Sequence, residues 1–509
     1  MQTLNFLENE LWWGGEVGSY DKMPISEADT FEIDFFKNGH NQTAPVFLSS
    51  KGRIIFCKTA FTAKFENGVI TLDGKERIDV INAGKNLRDA YNYAVSELYP
   101  FEKRDFSPVY FTVPQYNTWV QMGYMQYQQG VLDYAEGLVK HGYKPGILMI
   151  DEGWQKGYGD WQFNERFPNP KEMVDKLHEM GFKVMLWVLP YLSADSQVFR
   201  SLWRKGNEHL CRTVDGQPAL QEWWNGYSAS FNLALEGDRR VLSEQLHKLM
   251  NEIGIDGFKF DGGNVNAYGE FAANGRRDPK YSSADINIAW NEFGSKYEYH
   301  EYKDTFNRMG KAVMQRVCDT AHAWEGNGII KLIPSGLMQN LLGYPYNSPD
   351  MIGGGLISPT EENVFNYDGE LFVRTAQLAA FFPGMQFSAA PYEVLDKKYA
   401  DLVKAAADLH VKLGPKTLSL VKKAMETGTP IMQHMEYAYP ECGYERETEQ
   451  FMFGDDMLVA PVVKQGETEK RVVLPDGRWK DPDGKIFEGG QTIMYPAPIE
   501  VIPYFERVD

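Results

Sequence analysis

Segments with the pattern of buried strands alternate with segments of helical spacing along about 300 residues of this chain, from about 108 to 425. The apolar runs 146–150 and 255–260 have the length of buried strands, and 170–180 and 238–253 have the spacing of amphipathic helices. An alternation of this kind is typical of a parallel sheet whose strands are connected by helices. It constrains the fold more than any other feature of the sequence.

The order of these elements predicts an α/β fold with a (β/α)8 TIM barrel at residues 108–425. Short strands and turns predict a β-sandwich on either side of the barrel, at 1–107 and at 426–509. The alternative is a doubly wound sheet, but no Gly-x-Gly-x-x-Gly follows the first strand, which disfavours that fold. A chain of 509 residues is long enough for three such domains.

Asp261 stands at the end of one predicted barrel strand and is followed at once by Gly262 and Gly263. The carboxyl ends of TIM-barrel strands carry the functional side chains, and glycines let the backbone turn directly after such a residue. A carboxylate placed in this way attacks a sugar carbon, binds a metal or accepts hydrogen bonds from hydroxyls. No His-Glu-x-x-His motif and no Cys/His cluster supports a metal site, so we predict none.

The composition excludes several classes of partner. The formal net charge of −18 disfavours nucleic acid and anionic membrane surfaces. No run approaches the roughly 20 apolar residues of a membrane span, and the first residues lack the basic and apolar regions of a signal peptide. The four cysteines lie far apart, which is typical of free thiols in a reducing compartment. We therefore expect a cytoplasmic protein.

Five motifs are similar, in the same order, to those of glycoside hydrolase family 31, whose members are retaining α-glycosidases. The motifs lie at 150–154, 159–163, 186–190, 259–263 and 350–354, with a further likeness at 454–461. Each motif is short, and the specificity of the match comes from their shared order. The resemblance implies a TIM barrel that takes an oligosaccharide or glycoside substrate and needs no cofactor.

The resemblance also implies which residues react. Family members carry the catalytic nucleophile at the end of the fourth barrel strand, and Asp261 matches that residue. The general acid/base matches Asp319, in an Arg-x-x-Asp motif that begins at Arg316, with Glu325 as the alternative. We expect the environment of Asp319 to raise its pKa, because a retaining enzyme needs this carboxyl group protonated when it meets the leaving oxygen.

Two departures from the pattern of typical α-glucosidases bear on specificity. Asn327 stands where those members carry the acid, and Ser388 stands where they carry a histidine that contacts sugar hydroxyls. The Arg-x-x-Asp motif followed by Trp324, and the segment 382–388, instead resemble the α-galactosidase-like branch of the family. The resemblance therefore favours an α-galactosidase. The alternatives are an α-glucosidase, an α-N-acetylgalactosaminidase or a transglycosylase on the same barrel, or a barrel that binds glycans without cleaving them.

Further residues are candidates for binding the sugar, either as hydrogen-bonding groups or as aromatic walls. They are Asp151, Trp154, Trp187, Lys259, Arg316, His322, Trp324 and Asp350. For the basic residue that binds sugar hydroxyls, Lys303 and Arg308 are alternatives to Arg316. The N-terminal region is short for this family, so a neighbouring subunit of a homo-oligomer is a possible source of part of the aglycone wall.

Overall fold

A central barrel of eight short parallel strands organises the molecule. The computed structural model describes residues 1–37, 41–205, 208–356 and 367–509. The barrel strands are β1 (Gln115–Asn117), β2 (Ile147–Ile150), β3 (Lys183–Val188), β4 (Gly257–Phe260), β5 (Tyr299–Tyr302), β6 (Gln315–Arg316), β7 (Asn347–Ser348) and β8 (Gln386–Phe387).

The strands pair in sequence order from β1 to β7, and β8 pairs with β1. A parallel bridge between Ile352 and Phe387 joins the segment after β7 to β8, and the Ile352 amide donates to the Gln386 carbonyl at 2.8 Å. The eight strands therefore form a nearly closed barrel, which confirms the predicted TIM barrel and rules out the doubly wound alternative.

Helices cover the outside of the barrel. They are Gln128–Lys140, Pro170–Glu179, Glu236–Lys248, Ser283–Gly294, Leu332–Leu341, Gly369–Ala379 and Lys397–Thr427. Residues 303–314, all of them described, connect β5 to β6 as a loop without a helix. Of the helices in the described ranges, none combines the length and apolar character needed to cross a bilayer.

Two four-stranded antiparallel sheets precede the barrel. One consists of Gln2–Asn5, Val69–Gly74, Phe61–Glu66 and Phe31–Asp34, and the other of Trp12–Glu16, Thr43–Ser49, Arg53–Phe56 and Asp79–Asn82. Phe65 of the first sheet packs against Phe47 of the second, with ring centroids 5.0 Å apart. The two sheets thus face each other across an aromatic core, as in a β-sandwich.

A second set of antiparallel strands follows the last barrel helix. Six strands form one sheet, namely Met432–Gln433, Phe451–Phe453, Met457–Val459, Tyr504–Arg507, Arg478–Lys480 and Ile486–Glu488. Glu469–Leu474 and Gln491–Pro496 form a two-stranded sheet beside it. Trp479 and Phe505 are fully buried in the core that these strands enclose.

Candidate active site

Asp261 is held at the carboxyl end of β4 by backbone and side-chain contacts. Its amide donates to the Val188 carbonyl at 2.9 Å, which continues the barrel ladder by one residue. Its Oδ2 accepts a hydrogen bond from the Trp187 indole at 3.0 Å. The next two residues, Gly262 and Gly263, have φ of +62° and +74°, a region in which side chains are strained. The glycines therefore let the chain turn immediately after the carboxylate.

Asp319 lies in the loop that follows β6, and 32% of its side chain is exposed. Its Oδ1 accepts from the Arg316 guanidinium at 2.9 Å. Lys331 donates from its ammonium group to the carbonyls of Cys318 and Asp319, both at 3.0 Å. Positive charge thus fixes both the backbone and the side chain of this residue.

The Lys303 ammonium group joins the two carboxylates. Its Nζ lies 3.3 Å from Asp261 Oδ1 and 3.1 Å from Asp319 Oδ2. These contacts place the two carboxylates around a single ammonium group. The two carboxylates therefore belong to one site, as the sequence motifs predict.

The positive groups determine the protonation of both carboxylates. Burial alone would raise the pKa of Asp261, but the Lys303 and Lys259 ammonium groups outweigh it and lower that pKa to about 2. Burial also works against ionisation of Asp319, yet Lys303 and Arg316 hold the pKa of Asp319 well below its ordinary value. The expectation of a raised pKa at Asp319 is wrong for the sugar-free site.

Lys259 and Asp151 form a buried ion pair, with Lys259 Nζ 2.7 Å from Asp151 Oδ2 and each side chain only 4% exposed. They lie at the end of β2 and within β4, two barrel strands with β3 between them. Asp151 is also tied to the barrel through its amide, which donates to the Thr118 hydroxyl at 3.0 Å. The Lys259 ammonium group of this pair also helps to lower the pKa of Asp261.

Arg316 and Asp350 support the site from within the barrel. Each side chain is 1% exposed, and Arg316 Nη1 donates to Asp350 Oδ1 at 2.6 Å. Asp350 Oδ2 also accepts from the Gly355 amide at 3.0 Å. Arg316 is therefore engaged by carboxylates and is not open to a sugar, contrary to the prediction. Asp350 is equally buried and is not open to a sugar either, although it was predicted to bind one.

The tryptophans predicted to stack on the sugar occupy different environments. Trp154 is fully buried and packs against Phe163, and its indole donates to the Trp187 carbonyl at 2.8 Å. It is a core residue and not a platform for a sugar ring. Trp187 is 1% exposed and contacts Asp261 through its indole N–H. Its role is to hold the carboxylate.

His322 and Trp324 lie together beside the N-terminus of the helix Gly369–Ala379. The Trp324 indole donates to Asp368 Oδ2 at 2.9 Å, and His322 Nε2 accepts from the Asp368 amide at 3.0 Å. Among the described residues, these two side chains bond to Asp368 and not to the carboxylates that flank Lys303.

Two further candidates lie away from the carboxylate pair. Glu325 is exposed, which leaves Asp319 as the carboxyl group that faces Asp261. Arg308 pairs with Glu292 at 3.0 Å, so Lys303 is the basic alternative that the structure brings into the site.

Sequence reasoning missed a group of polar and aromatic residues around Glu152. This carboxyl group is 3% exposed and accepts hydrogen bonds from the Tyr158 hydroxyl at 2.6 Å and the Trp224 indole at 3.0 Å. Burial raises the pKa of Glu152 to about 7, against the hydrogen bonds from Tyr158 and Trp224. Trp224 is 50% exposed, and its ring centroid lies 6.4 Å from that of Trp187, whose indole N–H contacts Asp261. An acidic pair at a strand end, Asp151 and Glu152, is the signal that could have revealed the group.

The arrangement suits a reaction in which carboxyl groups act as nucleophile and as proton donor or acceptor. Within the part of the chain that the structure describes, no group of three or more His, Cys, Asp or Glu residues could hold a metal ion. Asp261 is ionised over the whole physiological range and is fixed in position, as a nucleophile must be. Asp319 is partly open to solvent and is the group that can exchange a proton with a leaving oxygen or with water.

Comparisons with known proteins agree with the motifs. The sequence pattern of the glycosyl hydrolases family 31 TIM-barrel domain matches residues 112–420, and that of the family's C-terminal domain matches 428–509. Myogenesis-regulating glycosidase of Mus musculus is 30% identical over 435 residues, which are 83% of this chain and 60% of that protein. Isomaltosyltransferase of Sporosarcina globispora is 28% identical over 392 residues, 69% of this chain and 34% of that protein.

A solved structure gives the same fold. The cycloalternan-forming enzyme from Listeria monocytogenes, in complex with a pentasaccharide substrate, aligns with a TM-score of 0.83 at 20% identity, over 99% of this chain and 53% of that one. The chain spans from about a third to three fifths of the length of the two curated relatives described above.

Proposed function

Because this chain belongs to glycosyl hydrolase family 31, we propose that it is a retaining exo-α-glycosidase that hydrolyses terminal α-linked sugars. One observation carries the proposal: the Lys303 ammonium group contacts both Asp261 and Asp319, at 3.3 and 3.1 Å. Two carboxylates around one ammonium group are close enough to act on the same glycosidic bond, and the family resemblance favours a double displacement over a single inverting step.

In the first step, Asp261 attacks the anomeric carbon and forms a glycosyl ester while the bond to the leaving oxygen breaks. The proton on Asp319 passes to that oxygen. In the second step, Asp319 accepts a proton from water, and the water oxygen attacks the anomeric carbon and breaks the ester to Asp261. The sugar is released with its configuration retained, and both carboxyl groups return to their starting states.

The first step requires a proton that Asp319 does not hold in the sugar-free site, because Lys303 and Arg316 keep its pKa low. A sugar that enters next to Asp261 competes for the Lys303 ammonium group, since hydroxyl oxygens are acceptors for the same three donors. Loss of that contact weakens the effect of Lys303, the first of the positive charges that hold Asp319 ionised. In this proposal, substrate binding itself prepares the acid.

The first substrate class that we propose is the α-galactosides. Ser388 is fully buried, and its hydroxyl accepts a hydrogen bond from the Val120 amide at 2.7 Å. It is therefore not available as a substitute for the sugar-contacting histidine of typical α-glucosidases. The names of relatives favour a second candidate, action on α-glucosides by hydrolysis or transfer, since one is an isomaltosyltransferase and another is alpha-glucosidase 2 of Bacillus thermoamyloliquefaciens.

A panel of nitrophenyl α-glycosides tests the proposal directly. We expect cleavage of at least one member, and the galactoside and glucoside arms separate the two candidates. Asp261→Asn should lose activity by a factor of about 10⁴ or more, because the nucleophile is removed, whereas the exposed Asp133→Asn serves as the matched control. Wild-type activity in Asp261→Asn, or no cleavage of any glycoside, would overturn the proposal.

A second measurement identifies the acid/base. Asp319→Ala should cleave glycosides with basic leaving groups slowly. It should retain activity on a dinitrophenyl glycoside, whose leaving group departs without a proton. Azide should accelerate this variant and yield the α-glycosyl azide, because the anion replaces water in the second step. If neither effect is observed, the general acid/base is a residue other than Asp319.

A further inference from the structure

Residues 41–43 enter the second N-terminal sheet, yet their polar groups bond to the loops that carry the acidic site. The Thr43 amide donates to the Thr305 carbonyl at 2.8 Å, after β5. The Cys318 amide, next to Asp319 in sequence, donates to Asn41 Oδ1 at 3.2 Å. The segment therefore contacts both loops that flank the carboxylate pair.

Gln42 lies at the centre of this segment and is fully buried. Its amide nitrogen donates to the Lys303 carbonyl at 2.8 Å and to the Arg316 carbonyl at 2.9 Å. Its Oε1 accepts from the Gln339 amide at 2.8 Å. Since carbonyl oxygens can only accept hydrogen bonds, the two backbone contacts fix the orientation of the Gln42 amide without ambiguity.

The two carbonyls lie where the pairing between the neighbouring strands β5 and β6 ends. β5 and β6 are in register at Tyr302 and Gln315. One residue further along each chain, at Lys303 and Arg316, the Gln42 amide bridges the two backbones. The side chains of these same two residues hold Asp319, through contacts of 3.1 and 2.9 Å.

We propose that Gln42 is a positioning residue: it fixes the spacing of Lys303 and Arg316 and thereby the geometry of Asp319. The N-terminal sheets thus take part in forming the site, although the three charged side chains all come from the barrel. The catalytic consequence rests on the proposed function, but the positioning itself can be measured without turnover.

The test compares Gln42→Leu, which keeps the approximate volume and removes every polar contact, with the full-length wild-type chain. Hydrogen exchange followed by mass spectrometry should show exchange about tenfold faster or more in peptides that cover 303–307 and 316–320, because both loops lose a shared anchor. On the glycoside that the wild type cleaves best, kcat should fall about tenfold to a hundredfold with a smaller change in KM. The pH profile should shift as well, since Lys303 and Arg316 set the protonation of Asp319.

Gln377→Leu is the matched control. Gln377 is a buried glutamine that joins the barrel to the C-terminal segment, where its amide donates to the Ile499 carbonyl at 2.6 Å. This variant should lose a similar amount of thermal stability, but exchange in the two loops and the pH profile should stay those of the wild type.

The outcomes separate the two proposals. If Gln42→Leu lowers the melting temperature as Gln377→Leu does but leaves loop exchange and the pH profile unchanged, Gln42 is only a packing residue and the inference is wrong. If the wild type cleaves no glycoside, the proposed function fails, and the exchange rates of the two loops alone decide whether Gln42 positions them.

Discussion

Lys303 is the residue on which the electrostatics of the site depend. Its ammonium group contacts both Asp261 and Asp319, at 3.3 and 3.1 Å. Burial opposes its charge, but the two carboxylates outweigh burial and raise the pKa of Lys303 above its ordinary value. The ammonium group therefore stays charged, and the carboxylates stay ionised, as one coupled unit.

Lys303→Met should move the pH dependence of the enzyme. Without the ammonium group, burial acts on Asp319 with less opposition, so the pKa of Asp319 rises and the limb of the pH–rate profile that it governs shifts to higher pH. We also expect kcat/KM to fall by about a hundredfold, as when a preorganised donor is removed from an active site. Steady-state kinetics from pH 4 to 9 provide the measurement.

Lys303→Arg is the control for this substitution, because it keeps the charge and changes only the shape of the donor. Its pH profile should lie closer to that of the wild type than the profile of Lys303→Met. Identical profiles for Lys303→Met and the wild type would show that Lys303 does not set the protonation of Asp319.

Glu152 is the residue that should make stability depend on pH near neutrality. Burial raises its pKa to about 7, above the 4.5 of an exposed glutamate. Between these values the folded state holds a proton that the unfolded state has released, so this group lowers stability as the pH rises from about 4.5 to 7. Glu152→Gln cannot ionise. We expect its loss of stability between pH 5 and 8 to be smaller than that of the wild type by roughly 1–3 kcal/mol.

Urea unfolding at the two pH values measures this difference. Glu222→Gln is a suitable control because Glu222 lies on the exposed side of the neighbouring hairpin. An equal pH dependence in Glu152→Gln and the wild type would mean that Glu152 is already ionised at pH 5.

At the scale of elements, the first half of the barrel could be predicted and the second half could not. The runs at 146–150 and 255–260 are apolar and end at functional residues, and the structure has strands there. The later strands are short and polar: β6 consists of Gln315 and Arg316, and β7 of Asn347 and Ser348. Their side chains bond to distant residues: Gln315 accepts from the Thr305 hydroxyl at 3.0 Å, and the Asn347 amide donates to Gln339 at 2.6 Å. Local periodicity does not reveal such partnerships.

Prediction of the active site from the sequence is limited in the same way, because local patterns do not show long-range contacts. Asp261 could be predicted because a strand and two glycines flank it, and Asp319 because of its family motif. The contacts of Lys303, 42 residues from Asp261 in sequence, depend on how β4, β5 and β6 pair. The burial of Trp154 is likewise invisible in a sequence, since an aromatic residue in a motif packs a core as well as it binds a sugar.

The hairpin formed by Gln221–Trp223 and Gly226–Ser230 places Trp224 at the mouth of the site. Trp224→Ala should lower kcat/KM on nitrophenyl glycosides by about tenfold, because an exposed aromatic face next to Asp261 is lost. Trp203→Ala is the matched control, since Trp203 is 47% exposed and Trp224 is 50% exposed. Equal activity in the two variants would show that the hairpin does not contact substrate.

At the scale of the whole molecule, each part of the chain touches the other two. Gln42 links the N-terminal sheets to the barrel, and the Tyr91 hydroxyl of the N-terminal region donates to the Gly428 carbonyl at 2.8 Å. Arg374 and Gln377 of one barrel helix donate to carbonyls of the C-terminal segment, at Val501 and Ile499. Each of the three parts therefore donates or accepts hydrogen bonds with the other two. Unfolding of one part would remove hydrogen-bond partners from both of the others.

This connectivity predicts that a ligand in the barrel stabilises the entire chain. A basic sugar mimic that binds the carboxylate pair should raise the unfolding free energy by about 2.7 kcal/mol at a concentration of 100 Kd. In calorimetry, we expect one transition that moves as a unit, and in limited proteolysis the N-terminal sheets should be protected together with the barrel. At the same concentration of the mimic, the Asp261→Asn variant should show a smaller shift, because its pair lacks one charge and binds the mimic more weakly. Two transitions, of which the mimic moves only one, would mean that the sheets fold independently of the site that Gln42 contacts.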